Sequence, residues 1–259
     1  MNFDLFKKII DQAAAMKIPR LRMNGYGELL VLKDIEKYFE YIRKKNHFFL
    51  IELNTNGNRM SDDKINLFLR MQVHAINISI DGATKATAEA IRIRLNFDQI
   101  EANIHRLLAL RRKAGLKRPK LRVTMIVIDR NRQEAEQFID RWRGIADFVG
   151  LSGFSNRASS LVNINNQGGA ETGRTAQACV LPFQDLNIWA DGKAVLCCND
   201  WNEEHVAGDL NTQSLRDVWL GQPLISARKL HHDLRGSEIP ICSKCNYWLQ
   251  PVKGVRLWE

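Results

Sequence analysis

Hydrophobic residues in the segment 1–151 follow two alternating patterns. Apolar positions three or four residues apart predict amphipathic helices at 3–16, 34–43, 61–71, 97–114 and 132–143. Short apolar or alternating runs between them predict strands at 20–24, 47–54, 75–80, 120–128 and 148–151. Strands and helices that alternate at this spacing form parallel sheets through right-handed crossovers, so the pattern predicts an α/β domain.

Glycine-rich or polar segments follow three of the predicted strands, at Gly25 to Glu28, Thr55 to Gly57 and Ser79 to Gly82. The carboxyl ends of parallel strands gather at one edge, where barrel enzymes place their chemistry. We therefore predict a partial TIM-type barrel, with a doubly wound sheet as the alternative. The chain opens with a helix, so we expect either that the architecture begins irregularly or that an opening strand and its following loop are missing.

The pattern changes after Leu151. Residues 153–178 are rich in Ser, Asn, Gly and Thr, which is typical of a linker or an active-site loop. Further on, two short strand patterns flank Asp191-Gly192, a strong hairpin signal, and Ser214 caps a predicted helix. The predicted organisation is a barrel at 1–152, a loop at 153–178 and a small β-hairpin plus helix domain at 179–259.

All five cysteines lie in the last third of the chain, at Cys179, Cys197, Cys198, Cys242 and Cys245. An odd number of cysteines without an export signal argues against a disulfide framework. Four thiolates suit tetrahedral zinc or a [4Fe–4S] cluster, and their spacing does not separate the two. Adjacent strand residues face opposite sides, so we expect Cys198 not to share the site of Cys197.

Composition and the length of apolar runs exclude several classes of protein. The chain has 259 residues, 45% hydrophobic and 26% charged, which is typical of a folded domain. Its longest apolar runs are far shorter than the roughly 18 residues of a membrane span. The amino terminus has no basic stretch leading into a long apolar core, so we expect a cytoplasmic protein without a membrane partner.

The net charge is +9, from 38 basic and 29 acidic residues. Much of the excess lies on and after the predicted helix 97–114, where no stacking aromatic residues are interleaved. We interpret this cluster as a solvated helix face and do not expect a nucleic-acid partner.

The cysteines and Gly192 carry a resemblance to a known family. A cysteine, a glycine and a second cysteine at Cys179, Gly192 and Cys197, followed by Cys242 and Cys245, resemble the auxiliary-cluster signature of radical S-adenosylmethionine (radical SAM) enzymes. This signature marks their SPASM or shortened twitch domain. No cysteine follows Cys245, so the resemblance implies one auxiliary [4Fe–4S] cluster of the twitch kind.

The first half of the chain resembles the same family, and the likeness covers nearly the whole sequence. Gly25-Tyr26-Gly27-Glu28-Leu29 is similar to the family's Gly-Gly-Glu-Pro motif, which binds the amino group of S-adenosylmethionine. The resemblance implies a (β/α)6 barrel core. It also implies cofactor-binding roles for Gly25, Gly27, Glu28, Asn56, Ser79, Asp81 and Arg92.

One family element is missing. Radical SAM enzymes hold their catalytic [4Fe–4S] cluster with a C-x-x-x-C-x-x-C loop, and no cysteine precedes Cys179 here. We expect that this loop lies upstream, lost by truncation or a misplaced start, or that the chain is a degenerate descendant. By itself the chain is expected to be inactive, and a full-length protein would carry a second cluster.

The resemblance implies an oxidoreductase in which a 5′-deoxyadenosyl radical abstracts a hydrogen atom from the substrate. The implied substrate is a sugar or aminocyclitol hydroxyl, or a peptide, and the implied partner is an electron donor such as flavodoxin or ferredoxin. Arg157 is our candidate for substrate contact. The alternative from another class is a non-catalytic iron–sulfur or zinc protein.

Overall fold

The computed structural model describes residues 1–25, 27–45, 50–154 and 178–245. The α-helices in chain order are α1 (Phe3–Ala15), α2 (Ile35–Lys45), α3 (Asp62–Arg70), α4 (Lys85–Ile91), α5 (Phe97–Lys113), α6 (Ala135–Trp142), α7 (Leu181–Gln184), α8 (Leu215–Trp219), α9 (Gln222–His232) and α10 (Pro240–Ser243). The strands are β1 (Arg20–Met23), β2 (Leu50–Thr55), β3 (Ala75–Ser79), β4 (Lys120–Val127), β5 (Phe148–Gly153), β6 (Asn187–Ile188), β7 (Lys193–Val195) and β8 (Val206–Asp209). Short 3₁₀ helices span Leu29–Val31, Arg132–Glu134 and Gly236–Glu238.

Strands β1 to β5 form one parallel sheet in which each strand lies beside the next strand of the chain. Its register pairs Asn54 with Asn77 and Asn77 with Arg122. Helices connect successive strands, as parallel pairing requires. The predicted α/β architecture with parallel strands is confirmed.

Side chains alternate across this sheet because successive strand residues point to opposite faces. On one face the central strands bury mainly apolar residues, including Leu53, Ile76, Ile78 and Val123, which are fully inaccessible to solvent. Aromatic side chains on the helices complete this core, with Phe39 and Phe68 in contact at 5.5 Å between ring centroids. The opposite face of the same strands is polar and includes Asn54, Asn77 and Arg122.

The C-terminal part of the chain contains a three-stranded antiparallel sheet in the order β6-β7-β8. The predicted turn at Asp191-Gly192 is present, and Gly192 has a φ of +100° that favours glycine. The sequence pattern predicts that the second strand of the hairpin runs from Lys193 to Cys197, but β7 ends at Val195 and Cys197 lies beyond it. Its register with β8 shifts at Ala194 and Val195, which breaks the regular pairing.

Two compact units make up the described chain, one of residues 14–153 and the other of residues 1–13 with 154 and 178–245. Helix α1 contributes residues to the second unit, and the barrel limits of 1–152 stay a prediction. Within this unit, Lys8 Nζ donates to the Leu210 carbonyl at 2.6 Å and Gln12 accepts from the Leu215 amide at 2.7 Å. Polar side chains on α1 therefore pair with backbone far along the chain, which sequence proximity does not reveal.

Three local expectations differ from the structure. Helix α4 was not predicted, and the predicted helix 132–143 is divided into a 3₁₀ turn and α6. Ser61 is a typical N-cap residue and the sequence predicts that it caps this helix; it precedes α3, but its side chain forms no capping hydrogen bond. Part of the predicted strand 47–54 lies outside the described residues. Across the described part of the chain, no helix has both the length and the apolar character needed to cross a membrane.

Candidate functional site

Glu28 lies at the carboxyl-end edge of the parallel sheet, where it caps the 3₁₀ helix Leu29–Val31. Its Oε1 accepts hydrogen bonds from the Leu30 amide at 3.1 Å and the Thr55 hydroxyl at 2.6 Å, and its Oε2 accepts from the Asn56 amide at 2.7 Å. A carboxylate offers about four acceptor positions, so Oε2 has capacity for one more donor. The carboxylate is therefore fixed in place and able to bind an ammonium group.

Gly25 and Gly27 precede Glu28 in an exposed segment. Among the described residues, a Cβ added at Gly27 would meet no atom within 4 Å, and one at Gly25 would meet only a backbone atom at 3.9 Å. The fold itself does not require glycine at either position. Backbone without side chains allows close approach of a ligand, which is consistent with the cofactor role predicted for this segment.

Asn56 and Gly57 form the turn after β2. The Asn56 side chain accepts a hydrogen bond from the Asn58 amide at 3.0 Å, so it stabilises the turn itself. Gly57 has a φ of +79°, and its carbonyl accepts from the buried Asn103 side chain at 2.8 Å. Asn56 thus reaches the site through its backbone amide, which donates to Glu28.

Asp81 is almost fully buried after β3, in a left-handed conformation with a φ of +61°. Its Oδ2 accepts from Arg92 Nε at 2.7 Å, and its Oδ1 accepts from the Ile126 amide at 2.7 Å. The terminal guanidinium nitrogens of Arg92 have no partner among the described residues. Asp81 therefore orients Arg92, which is the better placed of the two for binding an anion. Ser79 lies 3.3 Å from the Thr124 hydroxyl, oxygen to oxygen.

A polar row crosses the open face of the sheet, formed by Asn54, Asn77 and Arg122. The buried Asn77 Oδ1 has no hydrogen-bond partner in the described structure, and Arg122 forms no ion pair there. Gly150 lacks a side chain where the Arg122 guanidinium lies, 3.4 Å from the position of a Cβ. We did not single out these residues from sequence, although the alternation along β3 and β4 places them opposite the buried apolar positions.

Four cysteines surround one cavity in the second unit: Cys179, Cys197, Cys242 and Cys245. Cys179 precedes α7, Cys197 follows β7, and the amide of Cys245 donates to the Cys242 carbonyl in a tight turn. Cys198 is exposed and does not line the cavity. The structure therefore brings together the four predicted ligands and leaves out the cysteine predicted to be spare.

Two further polar side chains line the same cavity. His231 is 1% exposed, and its Nε2 lies 3.4 Å from the Cys242 sulfur. Asn199 Nδ2 donates to the Cys245 sulfur at 3.9 Å. Burial lowers the pKa of His231 below its ordinary value, which favours the neutral imidazole. Neither residue was singled out from sequence, since neither belongs to a cysteine motif.

Burial also acts on the thiols. It raises the pKa of Cys242 to about 12 and that of Cys197 well above its ordinary value, with the nearby cysteines adding to the effect. These thiols are protonated at neutral pH unless a metal binds and displaces the protons. In the part of the chain that the structure describes, no three His, Cys, Asp or Glu side chains converge on a single-ion site. A [4Fe–4S] cluster takes its four thiolates around a multi-atom core, which fits sulfurs arranged around a cavity.

Arg157, the predicted substrate contact, lies outside the described residues. For the other predicted site residues, the structure shows two groupings. The carboxyl-end edge of the sheet carries Gly25, Gly27, Glu28, Asn56, Ser79, Asp81 and Arg92. The cavity in the second unit carries the four cysteines.

Comparisons with known proteins relate both groupings to one family. Residues 1–141 match the family model of the radical SAM superfamily, and residues 179–246 match an iron-sulfur cluster-binding domain of the SPASM type. The first match spans more than half of the chain. The chain belongs to the radical SAM superfamily, whose chemistry uses S-adenosylmethionine and [4Fe–4S] clusters.

A curated relative is the S-adenosyl-L-methionine-dependent 2-deoxy-scyllo-inosamine dehydrogenase of Niallia circulans. It is 19% identical over 251 residues, covering 95% of this chain and 80% of the relative. At this identity the relative is a distant one.

Solved structures show the same fold. BtrN in complex with AdoMet and 2-DOIA aligns with a TM-score of 0.61 and 17% identity over 95% of this chain and 80% of that chain. AdoMet-bound anSMEcpe aligns at 0.65 and 13% identity, over 89% and 74% of the two chains. Streptococcus suis SuiB bound to the precursor peptide SuiA aligns at 0.66 and 11% identity, over 87% and 59%.

Proposed function

We propose that this chain binds S-adenosylmethionine at the carboxyl-end edge of its parallel sheet and one auxiliary [4Fe–4S] cluster in its cysteine cavity. The observation that carries the proposal is the Glu28 carboxylate, held by three donors with one acceptor position open. An enzyme with these groups bound would oxidise its substrate by radical hydrogen abstraction, which is chemistry that the cofactors supply.

Two side chains, Glu28 and Arg92, each bind one charged group of the methionine moiety of S-adenosylmethionine. Glu28 accepts from the α-ammonium group, since both are charged at neutral pH and Oε2 has room for one donor. Arg92 binds the α-carboxylate through the terminal nitrogens that Asp81 leaves available. Asp81 is a positioning residue in this arrangement, and Ser79 offers a hydroxyl toward the ribose.

The substrate proposed is a sugar or aminocyclitol whose hydroxyl is dehydrogenated. The curated relative from Niallia circulans acts on 2-deoxy-scyllo-inosamine and matches over 80% of its length, which supports this class. Arg122 and the unsatisfied Asn77 amide oxygen offer a donor and an acceptor to such a polyol on the open face of the sheet. A peptide is the second candidate substrate, because the structure of SuiB contains a bound precursor peptide.

The residues of this chain do not provide the ligands for the catalytic [4Fe–4S] cluster of the family, which a C-x-x-x-C-x-x-C loop holds. All five cysteines lie at position 179 or later, so the unit of residues 14–153, which contains the parallel sheet, has no thiolate to bind that cluster. We therefore propose that these 259 residues alone do not cleave S-adenosylmethionine. In a protein that also carries the cluster loop, a one-electron donor such as flavodoxin or ferredoxin would act as the partner.

The test begins with anaerobic purification of this chain and measurement of iron, sulfide and zinc. About four irons per chain with matching sulfide would support the auxiliary cluster. One zinc without iron would favour the non-catalytic alternative, a structural tetrathiolate site. Incubation with S-adenosylmethionine and dithionite should release no 5′-deoxyadenosine, and its release would overturn the proposed inactivity.

Substrate class is tested by calorimetric titration of the same chain with 2-deoxy-scyllo-inosamine and with an unrelated peptide of similar charge. We expect binding of the aminocyclitol that weakens in Arg122→Gln. Binding of the peptide alone would exclude the aminocyclitol class.

A further inference from the structure

His231 is the most deeply buried polar side chain in the cysteine cavity. It lies on the last turn of α9, outside every cysteine motif, and its side chain faces Cys242 with 3.4 Å between Nε2 and Sγ. An exposure of 1% leaves water no room to replace this contact. A buried imidazole that reaches a sulfur in this way needs a chemical explanation.

The imidazole is held from its other edge by Gly236. A Cβ added at Gly236 would lie 2.4 Å from His231 Nδ1 and 2.5 Å from its Cε1. Any side chain at position 236 would therefore push the ring out of place. The absence of a side chain there lets the 3₁₀ helix Gly236–Glu238 support the ring against Cys242.

The direction of the hydrogen bond follows from the chemistry of a bound sulfur. A cysteine that ligates iron has lost its proton, so its sulfur only accepts. The Nε2 of His231 must then carry the hydrogen and donate it. A donor to a ligand sulfur stabilises the reduced cluster more than the oxidised one, because the extra electron increases the negative charge on the sulfurs.

We infer that His231 donates a hydrogen bond from Nε2 to the Cys242 sulfur of the auxiliary cluster and thereby raises the reduction potential of that cluster, given the proposed function in which Cys242 is a ligand. The remaining lining of the cavity strengthens this effect, since a hydrogen bond is electrostatically stronger in apolar surroundings. These apolar neighbours are Leu181, Pro182, Leu196 and Ile241. His231 acts here as a positioning residue that tunes the cluster.

The experiment compares four variants of this chain after anaerobic cluster reconstitution. His231→Leu removes the hydrogen-bond donor, and His231→Gln retains an N–H donor. Gly236→Ala keeps the His231 side chain but moves its ring away from the Cys242 sulfur. His232→Leu is the matched control, because His232 is the next residue on α9 and its side chain is 82% exposed. Iron per chain and the midpoint potential from an EPR-monitored titration are measured for each.

We expect all four variants to bind iron as the wild type does. At a fixed applied potential, the ratio of reduced to oxidised cluster should fall about tenfold in His231→Leu, a shift of about 59 mV to more negative potential. Gly236→Ala should shift the potential in the same direction. His231→Gln should recover part of the shift, and His232→Leu should match the wild type.

Full iron with an unchanged potential in both His231→Leu and Gly236→Ala would overturn the tuning role. Loss of iron in His231→Leu and His231→Gln together would assign His231 a ligand or folding role instead and would equally overturn it. A wild-type chain that binds no iron would show that the four-cysteine site itself is wrong, which is a separate outcome.

Discussion

The carboxyl-end edge of the sheet and the cysteine cavity differ in what maintains their geometry. At the edge, Glu28 and Asp81 are held by hydrogen bonds from the protein, so this site is organised before any ligand binds. In the cavity, burial raises the pKa of the Cys197 and Cys242 thiols, so they become ligands only when a metal displaces their protons to solvent. The polypeptide alone fixes the geometry of the first site, whereas the second would be completed by the metal group that we propose for it.

The largest expected effect tests the cavity. Replacing Cys242 by serine exchanges a soft sulfur for a hard oxygen, and we expect most of the iron to be lost. Iron, sulfide and the visible absorption spectrum of the anaerobic protein measure this. Cys198→Ser is the matched control and should retain full iron, because Cys198 is exposed outside the cavity. Iron loss in Cys198→Ser would contradict the assignment of Cys197, and not Cys198, as the ligand.

The next effect tests recognition at the edge. Glu28→Gln keeps the shape of the side chain but removes the negative charge that we propose to face the ammonium group of S-adenosylmethionine. A hydrogen bond to a charged group contributes about 1.5–3 kcal/mol, so the dissociation constant for S-adenosylmethionine should rise by about tenfold or more. Isothermal titration calorimetry provides the measurement. Glu36→Gln, on the exposed surface of α2, should bind like the wild type. Equal affinity of both variants for S-adenosylmethionine would show that Glu28 does not contribute to its binding.

A smaller effect tests whether the edge is rigid. A Cβ at Gly82 would lie 2.5 Å from the Ala88 amide nitrogen, so Gly82→Ala forces the loop after β3 away from α4. Such overpacking costs about 1–3 kcal/mol in the free energy of unfolding. Urea denaturation followed by circular dichroism measures it. Gly27→Ala serves as the control and should leave stability unchanged, since its Cβ would meet no atom of the described part of the chain within 4 Å. Equal stability of the two variants would mean that the loop yields easily.

The smallest effect concerns Glu134, which accepts hydrogen bonds from the Ala83 and Thr84 amides. Burial alone would raise its pKa, but donors from Thr87, Ala83 and Thr84 outweigh burial and lower the pKa from 4.5. The stabilisation is therefore present above the ordinary pKa and is lost as pH falls through the lower folded value. Glu134→Gln should lose about 1 kcal/mol at pH 7.

Urea denaturation of wild type and Glu134→Gln across the acid range checks this prediction. The difference in the free energy of unfolding should shrink as pH falls below the ordinary carboxyl pKa. A difference that stays constant with pH would indicate that the charge of Glu134 contributes nothing to the loop.

Much of the fold was predictable because its elements carry visible hydrophobic periods. Helices with several buried apolar positions, such as α5, and strands with strict alternation, such as β4, follow directly from the sequence. Helix α4 escaped prediction because Ala88 is its only buried residue, so it shows no apolar stripe. Strand β8 likewise buries only Ala207, and its extended form depends on pairing with β7.

By itself the sequence determined the alternation of strands and helices, the soft donor set of four cysteines and the acid at Glu28, because residue type and spacing are local properties. Tertiary structure decided that Lys8 and Gln12 of α1 pair with backbone near the end of the chain. It also decided that Asp81 orients Arg92 and that His231 faces the Cys242 sulfur. Hydrogen bonds depend on distances of about 3 Å in space, which separation along the chain does not encode.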